Sequence, residues 1–108
     1  MNSSAMGLAM CGKRPIVFHE RFDFAIVGMN PLVNEIPIYK GPLPIVFLIV
    51  VGHGKGQGPQ QNKDFSHWFY PMYKVFEPYT PKAAYEQMKH ALRLDEPSMV
   101  IVHRELYE

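Results

Sequence analysis

The fold of this chain is decided by the run PIVFLIVV at residues 44–51, which leads directly into GHGKGQG at residues 52–58. A continuous apolar run that is rich in Val and Ile and lacks polar alternation is typical of a strand buried on both faces of a parallel sheet. The glycines at 52, 54, 56 and 58 let the backbone turn sharply beyond the carboxyl end of that strand, where open α/β sheets bind ligands. The stretch therefore predicts a layered α/β domain with its site near this loop.

Predicted strands and helices alternate along the rest of the chain. Strands are predicted at residues 16–20, 44–51, 73–77 and 98–102, and helices at residues 5–11, 24–29, 64–70 and from Pro81 onward. This alternation predicts parallel β-α-β units with right-handed crossovers. We expect a three-layer α/β fold, in which a mostly parallel sheet of about four strands carries helices on both faces.

Capping residues and prolines set the expected helix ends. The side chains expected to cap the first three helices are Ser3 or Ser4, Asp23, and Asn62 or Asp64. Gly12 is expected to close the first helix at the C′ position. Thr80 followed by Pro81 joins a cap to proline at N1, which is a strong start signal. Pro31 and Pro37 interrupt the second helix, so one kinked helix and two short pieces both fit the pattern.

Composition limits the classes of protein that fit. A chain of 108 residues with a net charge of +1 is of single-domain size, and its charge predicts no binding of nucleic acid or of an anionic membrane. The lone Cys11 cannot form an internal disulfide, which favours a reducing compartment. The first residues show neither a signal peptide nor a stretch of about 20 apolar residues. We therefore expect a cytoplasmic protein, or one of the mitochondrial matrix if the organism is eukaryotic.

Several common chemistries do not fit the sequence. The glycine loop is neither a Walker sequence nor a dinucleotide fingerprint, since a Ser or Thr after Lys55 and a correctly spaced third glycine are both missing. The five histidines lack the spacing of a zinc site, so no metal is predicted. Cys11 is expected to be a packed thiol rather than a nucleophile. Phe65, Trp68 and Phe69 are expected to form a core or interface cluster.

A series of short motifs nevertheless resembles a known family. In order they are GKRPIV at residues 12–17, FDF at 22–24, Asn34, the glycine loop with QGPQ at 57–60, WF at 68–69, KV at 74–75, Thr80-Pro81, Ala83, Pro97 and ELY at 105–107. Their order and spacing resemble the transketolase-like pyrimidine-binding domain in the beta subunit of thiamin-diphosphate-dependent 2-oxo acid dehydrogenases. Because these motifs extend over nearly the whole chain, the resemblance is specific even though no single motif is decisive.

The resemblance implies a binding role for two residues and a need for a partner. Phe24 matches the aromatic side chain that packs against the aminopyrimidine ring of thiamin diphosphate, and Glu20 matches a neighbouring cofactor-facing position. The same resemblance places the diphosphate and its magnesium ion on another chain, an alpha-type subunit or a second copy of this one. From the residues alone, Phe24 also fits an ordinary core aromatic.

Departures from the family pattern leave the activity open. A catalytic glutamate of the family falls before Met1 in register, and Gln61 stands where the family has a catalytic histidine. An amide does not exchange protons near neutral pH, so general acid-base catalysis at Gln61 is expected to be lost. We expect residues 1–108 to be a partial domain, truncated at both ends, whose exposed edge strand favours association. Two functions remain open: a piece of a 2-oxo acid dehydrogenase, and a vestigial domain without catalysis.

Overall fold

A computed structural model describes residues 1–52 and 63–106 as a parallel α/β domain. Its elements are α1 Asn2–Met10, β1 Ile16–His19, α2 Phe22–Val27, β2 Val46–Val51, β3 Lys74–Phe76, α3 Pro81–Arg93 and β4 Ser98–His103. Three short turns complete them: a π-helical turn Pro31–Glu35 and 3-10 turns Ser66–Trp68 and Arg104–Leu106. The four strands form one sheet in the order β1-β2-β4-β3, and all its strand pairs are parallel. The predicted α/β fold is confirmed.

The run that decides the fold forms the central strand. β2 pairs with β1 on one side and with β4 on the other, so both of its hydrogen-bonding edges are satisfied. Its alternate residues point to opposite faces of the sheet. Phe47 and Ile49 pack in one apolar cluster with Ala25 of α2, whereas Val46 packs with Ala91 of α3 in a second cluster. Helices therefore cover both faces, as predicted.

The last helix begins at a strong local signal, and its end is stabilised by a residue that is distant in sequence. The Thr80 Oγ1 accepts a hydrogen bond from the Ala83 backbone N–H at 3.1 Å, and Pro81 occupies the first helical turn. The Arg14 guanidinium donates to the carbonyl oxygens of Leu92 and Leu94 at 3.2 and 3.1 Å, which satisfies acceptors left free at the helix end. The predicted start of this helix is confirmed.

The first helix starts earlier than the sequence predicted. It begins at Asn2 without a side-chain cap, so the expected caps from the two serines at 3 and 4 are wrong; both serines are exposed. Its end is as predicted, because Gly12 has φ of 86°. The Gly12 amide donates to Ala9 and the Lys13 amide to Leu8, each at 3.0 Å, which is the Schellman pattern. Cys11 is exposed, so the expectation of a packed thiol was also wrong.

The second helix is split, as one of the two alternatives held. α2 ends at Val27 with Gly28 as its C-cap, and the separate π-helical turn starts at Pro31. The N-cap of α2 is Arg21 in an extended conformation, with φ of −145°. Asp23 lies inside the first turn of α2 and does not cap it. A carboxylate there still interacts favourably with the helix dipole. The expected Asp23 cap is therefore wrong, whereas the break at the proline is confirmed.

The helix expected at residues 64–70 is only a three-residue turn, Ser66–Trp68. The Asp64 carboxylate accepts from the Ser66 backbone N–H at 2.9 Å, which stabilises a tight turn rather than a longer helix. Phe69 is fully buried and stacks on Phe22 at 5.7 Å between ring centroids, while Trp68 stays 45% exposed. The predicted aromatic cluster is thus partly core and partly surface.

Candidate functional site

The carboxyl ends of the parallel strands bring polar side chains to one edge of the sheet. His19 ends β1 and His103 ends β4, while Glu77 directly follows β3. Val51, the last residue of β2, is in register with His103. This edge is where open α/β sheets bind ligands. The glycine loop begins here, but residues 53–62, including Gln61, lie outside the described residues.

A cavity of about 440 Å³ lies beside the end of β1. It is lined by Met1, Asn2, His19, Phe24, Val27 and Gly28. Phe24 is 46% exposed, so its ring forms an accessible aromatic wall rather than part of the closed core. No carboxylate lines this cavity in the part of the chain that the structure describes. The cavity thus offers a flat apolar surface and two buried polar side chains.

Asn2 and His19 are the buried polar pair of this cavity, each 3% exposed. The Asn2 side-chain NH₂ group donates to the backbone oxygens of Ala25 and Gly28, both at 3.2 Å. These two bonds fix the orientation of the amide, so the Asn2 Oδ1 faces the His19 Nε2 at 2.9 Å. Gly28 makes this approach possible, because a Cβ there would come within 2.7 Å of the Asn2 Nδ2.

The electrostatic environment keeps His19 neutral. Burial lowers the pKa of His19 below its ordinary value of 6.5, and the nearby positive amino terminus lowers it further. Both causes act in the same direction because each disfavours the charged imidazolium. A neutral imidazole carries one N–H and one acceptor nitrogen.

Of the two predicted binding residues, Phe24 lines the cavity and Glu20 does not. Phe24 lines the cavity, and the Arg21 guanidinium carbon lies 5.6 Å from its ring centroid. Two neighbouring polar atoms, the Arg21 Nε and one Asp23 carboxylate oxygen, are buried without a hydrogen-bond partner among the described residues. Glu20 directly follows β1, is exposed and does not line the cavity. The binding roles of Phe24 and Glu20 remain predictions.

A second polar cluster occupies the other end of the same edge. The Glu77 carboxylate accepts from the His103 Nε2 at 3.1 Å, from the Tyr79 hydroxyl at 3.2 Å and from the Tyr70 hydroxyl. The Tyr79 and His103 rings stack at 5.3 Å between centroids. This cluster joins the ends of β3 and β4.

Hydrogen bonding dominates the titration of that cluster. Burial raises the pKa of Glu77, but the hydrogen bonds from Tyr70, His103 and Tyr79 outweigh it, and the pKa falls below its ordinary value. The hydrogen bond to Glu77, with smaller contributions from burial and nearby charges, raises the pKa of Tyr70 to about 12. Glu77 is therefore held as a carboxylate.

Sequence reasoning did not find either polar cluster. Asn2 was assigned to the segment before the first helix, and His19 and His103 were considered only as metal ligands. The described residues contain no group of three or more His, Cys, Asp or Glu side chains placed to hold a metal ion. One signal was available: His19 and His103 both stand at the carboxyl end of a predicted strand, which is the position that binds ligands in this fold.

Together, the fold and the cavity define a parallel α/β domain with an aromatic-walled pocket at the carboxyl edge of its sheet. No protein-family model matches the chain. Individual proteins do match, and all three described next are pyruvate dehydrogenase E1 component beta subunits named as mitochondrial. The protein from Caenorhabditis elegans is 32% identical over 111 residues, the human one 30% and the beta-2 subunit from Oryza sativa subsp. japonica 28%.

These alignments cover 95% of this chain but only 30 to 32% of each relative. The chain therefore spans about a third of the length of the curated relatives it matches. The resemblance read from the sequence is confirmed: over 95% of its length, the chain is similar to pyruvate dehydrogenase E1 component beta subunits. Across residues 1–52 and 63–106, none of the helices combines the length and apolar character needed to cross a membrane.

Proposed function

We propose that residues 1–108 form a partial transketolase-like pyrimidine-binding domain, which supplies the aminopyrimidine pocket of a thiamin-diphosphate-dependent 2-oxo acid dehydrogenase. The observation that carries the proposal is the cavity beside β1, with Phe24 as its accessible aromatic wall, in a chain similar to E1 beta subunits. A flat heteroaromatic ring gains dispersion and stacking energy against such a wall. The pocket's composition thus suits the pyrimidine ring.

The rest of the cofactor is assigned to a partner. In this proposal an alpha-type subunit, or a second copy of the chain, holds the diphosphate through magnesium. When bound, thiamin diphosphate supplies the stabilisation of the carbanion that decarboxylation requires. This chain's own contribution is to bind the ring and shield it from water, through Phe24 and the apolar side chains of Met1 and Val27 that line the same cavity.

A second candidate function is a domain that retains the fold and subunit contacts without catalysis. It is favoured by the absence of a carboxylate from the described lining of the cavity. Cofactor chemistry of this kind needs a group that moves protons near the ring. The match of Gln61 to the position of the family's catalytic histidine also favours a non-catalytic domain. This match stays a prediction, because Gln61 lies outside the described residues.

Isothermal titration calorimetry tests the proposed pocket. The 108-residue chain is titrated with thiamin diphosphate and magnesium, alone and with an alpha-type subunit. We expect saturable binding that falls about tenfold in Phe24→Ala, since truncating an aromatic residue that stacks on a ligand costs about 1–2 kcal/mol. Tyr39→Ala is the matched control, because Tyr39 has a similar exposed fraction, 38% against 46%, and does not line the cavity.

Two outcomes would contradict the proposal. One is the absence of binding under both conditions, and the other is an equal loss of affinity in the Tyr39 and Phe24 variants. We also propose a mitochondrial matrix location if the organism is eukaryotic, supported by relatives that are mitochondrial by name, and a cytoplasmic location otherwise.

A further inference from the structure

We infer that His19, held by Asn2, is the hydrogen-bonding group of the cavity and that its Nδ1 accepts an N–H from an amino group on a bound heteroaromatic ring. The inference rests on the proposed function, since it specifies how the same pocket recognises its ligand. In this inference the ligand ring stacks on Phe24 and also donates a hydrogen bond to His19. Its ligand class is a flat, neutral amino-heteroaromatic ring.

The tautomer of His19 follows from the bonds of Asn2. Both side-chain donations of the Asn2 NH₂ go to backbone carbonyls, those of Ala25 and Gly28. The Oδ1 that faces His19 is an acceptor only, so the Nε2 at 2.9 Å must donate to it. A neutral imidazole with its proton on Nε2 has its lone pair on Nδ1.

That lone pair is available to a ligand. None of the described residues forms a hydrogen bond with the Nδ1, and His19 lines the cavity. An acceptor that lines a cavity and has no partner among the described residues favours a ligand that brings a donor. An exocyclic amine on an aromatic ring brings that donor together with a flat surface for Phe24. A ring without the amine would leave the acceptor unpaired.

A comparison of two small ligands isolates this hydrogen bond. Binding of 4-aminopyrimidine and of pyrimidine to the full chain is measured by ligand-observed NMR titration, for the wild type and for His19→Phe. We expect the wild type to prefer the amine by about tenfold, which corresponds to about 1.4 kcal/mol. In His19→Phe the preference should disappear while binding of pyrimidine itself persists, since Phe24 is intact.

A second measurement needs no substitution at all. In the wild-type protein labelled with ¹⁵N at histidine, the His19 Nδ1 should resonate as an unprotonated nitrogen. It should shift upfield when 4-aminopyrimidine binds and not when pyrimidine binds. This readout stays informative if His19→Phe fails to fold.

The outcomes separate this inference from the proposed function. If the wild type binds both rings equally, or the His19 Nδ1 carries the proton, the inference is overturned while the aromatic pocket stands. If neither ring binds, the proposed pocket itself fails and the inference falls with it.

Discussion

At the scale of single residues, Gly28 leaves the space that Asn2 needs to hold His19 in the cavity beside β1. A Cβ added at Gly28 would lie 2.7 Å from the Asn2 Nδ2 and 3.4 Å from its Cγ. Asn2 cannot turn away without losing its hydrogen bonds to Ala25, which is buried, and to Gly28, which is partly buried. We predict that Gly28→Ala lowers the free energy of unfolding by about 1–3 kcal/mol, the cost of leaving buried polar groups unpaired. Urea denaturation followed by circular dichroism measures it.

Gly7→Ala is the matched control for that substitution. Gly7 lies in the middle of α1, and an added Cβ would meet nothing within 4 Å. We expect it to stabilise the protein by about 0.5–1 kcal/mol, since alanine loses less conformational entropy than glycine in a helix. Equal effects of the two substitutions would show that Gly28 has no special packing role.

Glu77 provides a pH-dependent test at the same scale. Its pKa in the folded protein lies below the ordinary value of 4.5, so folding favours the carboxylate. The stabilisation is fully present above about pH 4.5 and is lost as the pH falls through the folded pKa. We predict that Glu77→Gln destabilises the fold by about 1–2 kcal/mol at pH 7.

Chemical denaturation at a series of pH values between about 7 and 3 measures this difference. The difference in unfolding free energy between wild type and Glu77→Gln should shrink as the pH falls below about 4.5. Glu86→Gln serves as control, since Glu86 is exposed on α3. A difference that does not shrink below about pH 4.5 would contradict the assignment of Glu77 as a stabilised carboxylate.

At the scale of elements, the start of α3 depends on one side chain. The Thr80 hydroxyl oxygen accepts from the Ala83 backbone N–H, which would otherwise lack a helical partner. We predict that Thr80→Ala lowers the free energy of unfolding by about 1 kcal/mol, whereas Thr80→Ser, which keeps the hydroxyl, changes it little. Thermal denaturation of the three proteins provides the comparison. An equal loss in both variants would mean that the methyl group, not the cap, matters.

The elements also show which parts of the fold the sequence could predict. The run at residues 44–51 and the Thr80-Pro81 start carry their signals locally, so β2 and α3 were predicted correctly. The caps of α1 and α2 were wrong because tertiary contacts override local preference. Asn2 turns inward to bond Ala25 and Gly28, and α1 therefore starts ahead of its serines.

The candidate site shows the same limit. Phe24 was predicted through the family resemblance, and its ring lines a cavity in the structure; its binding role stays a prediction. Asn2 and His19 are 17 residues apart and bond only because α1 packs near the end of β1. A contact of this kind leaves no periodic or spacing signal in the sequence. The position of His19 at a strand end was the one available indication.

At the scale of the whole molecule, one sheet face is incompletely covered. Ile16 and Phe18 of the edge strand β1 point to the face of the sheet that α3 covers, and they remain 49% and 53% exposed. A groove of about 540 Å³ lies beside α3 on the same face. An apolar edge strand favours association with another chain. We predict that the wild-type chain self-associates and that Phe18→Lys shifts it toward monomer in analytical ultracentrifugation.

The control for that experiment adds the same charge elsewhere. Ile38 is 70% exposed and lies outside the strands, so Ile38→Lys should leave the association unchanged. If it disrupts association as strongly as Phe18→Lys, the effect is one of net charge and not of the β1 edge.

The last prediction concerns activity of the whole chain. Supplied with thiamin diphosphate and magnesium but no other subunit, the 108-residue chain should bind cofactor without decarboxylating a 2-oxo acid. The described lining of the cavity offers only a neutral amide and an imidazole of lowered pKa, and a proton-transfer group of suitable pKa is worth about 10² to 10⁴ in rate. Gln61→His should not restore turnover by itself, because it adds no carboxylate to the pocket.

Carbon dioxide release from a labelled 2-oxo acid, compared with a mock preparation, measures the activity of the wild type and of Gln61→His. Turnover by the wild type would show that this domain is catalytic alone, and turnover only in Gln61→His would show that residue 61 governs the chemistry.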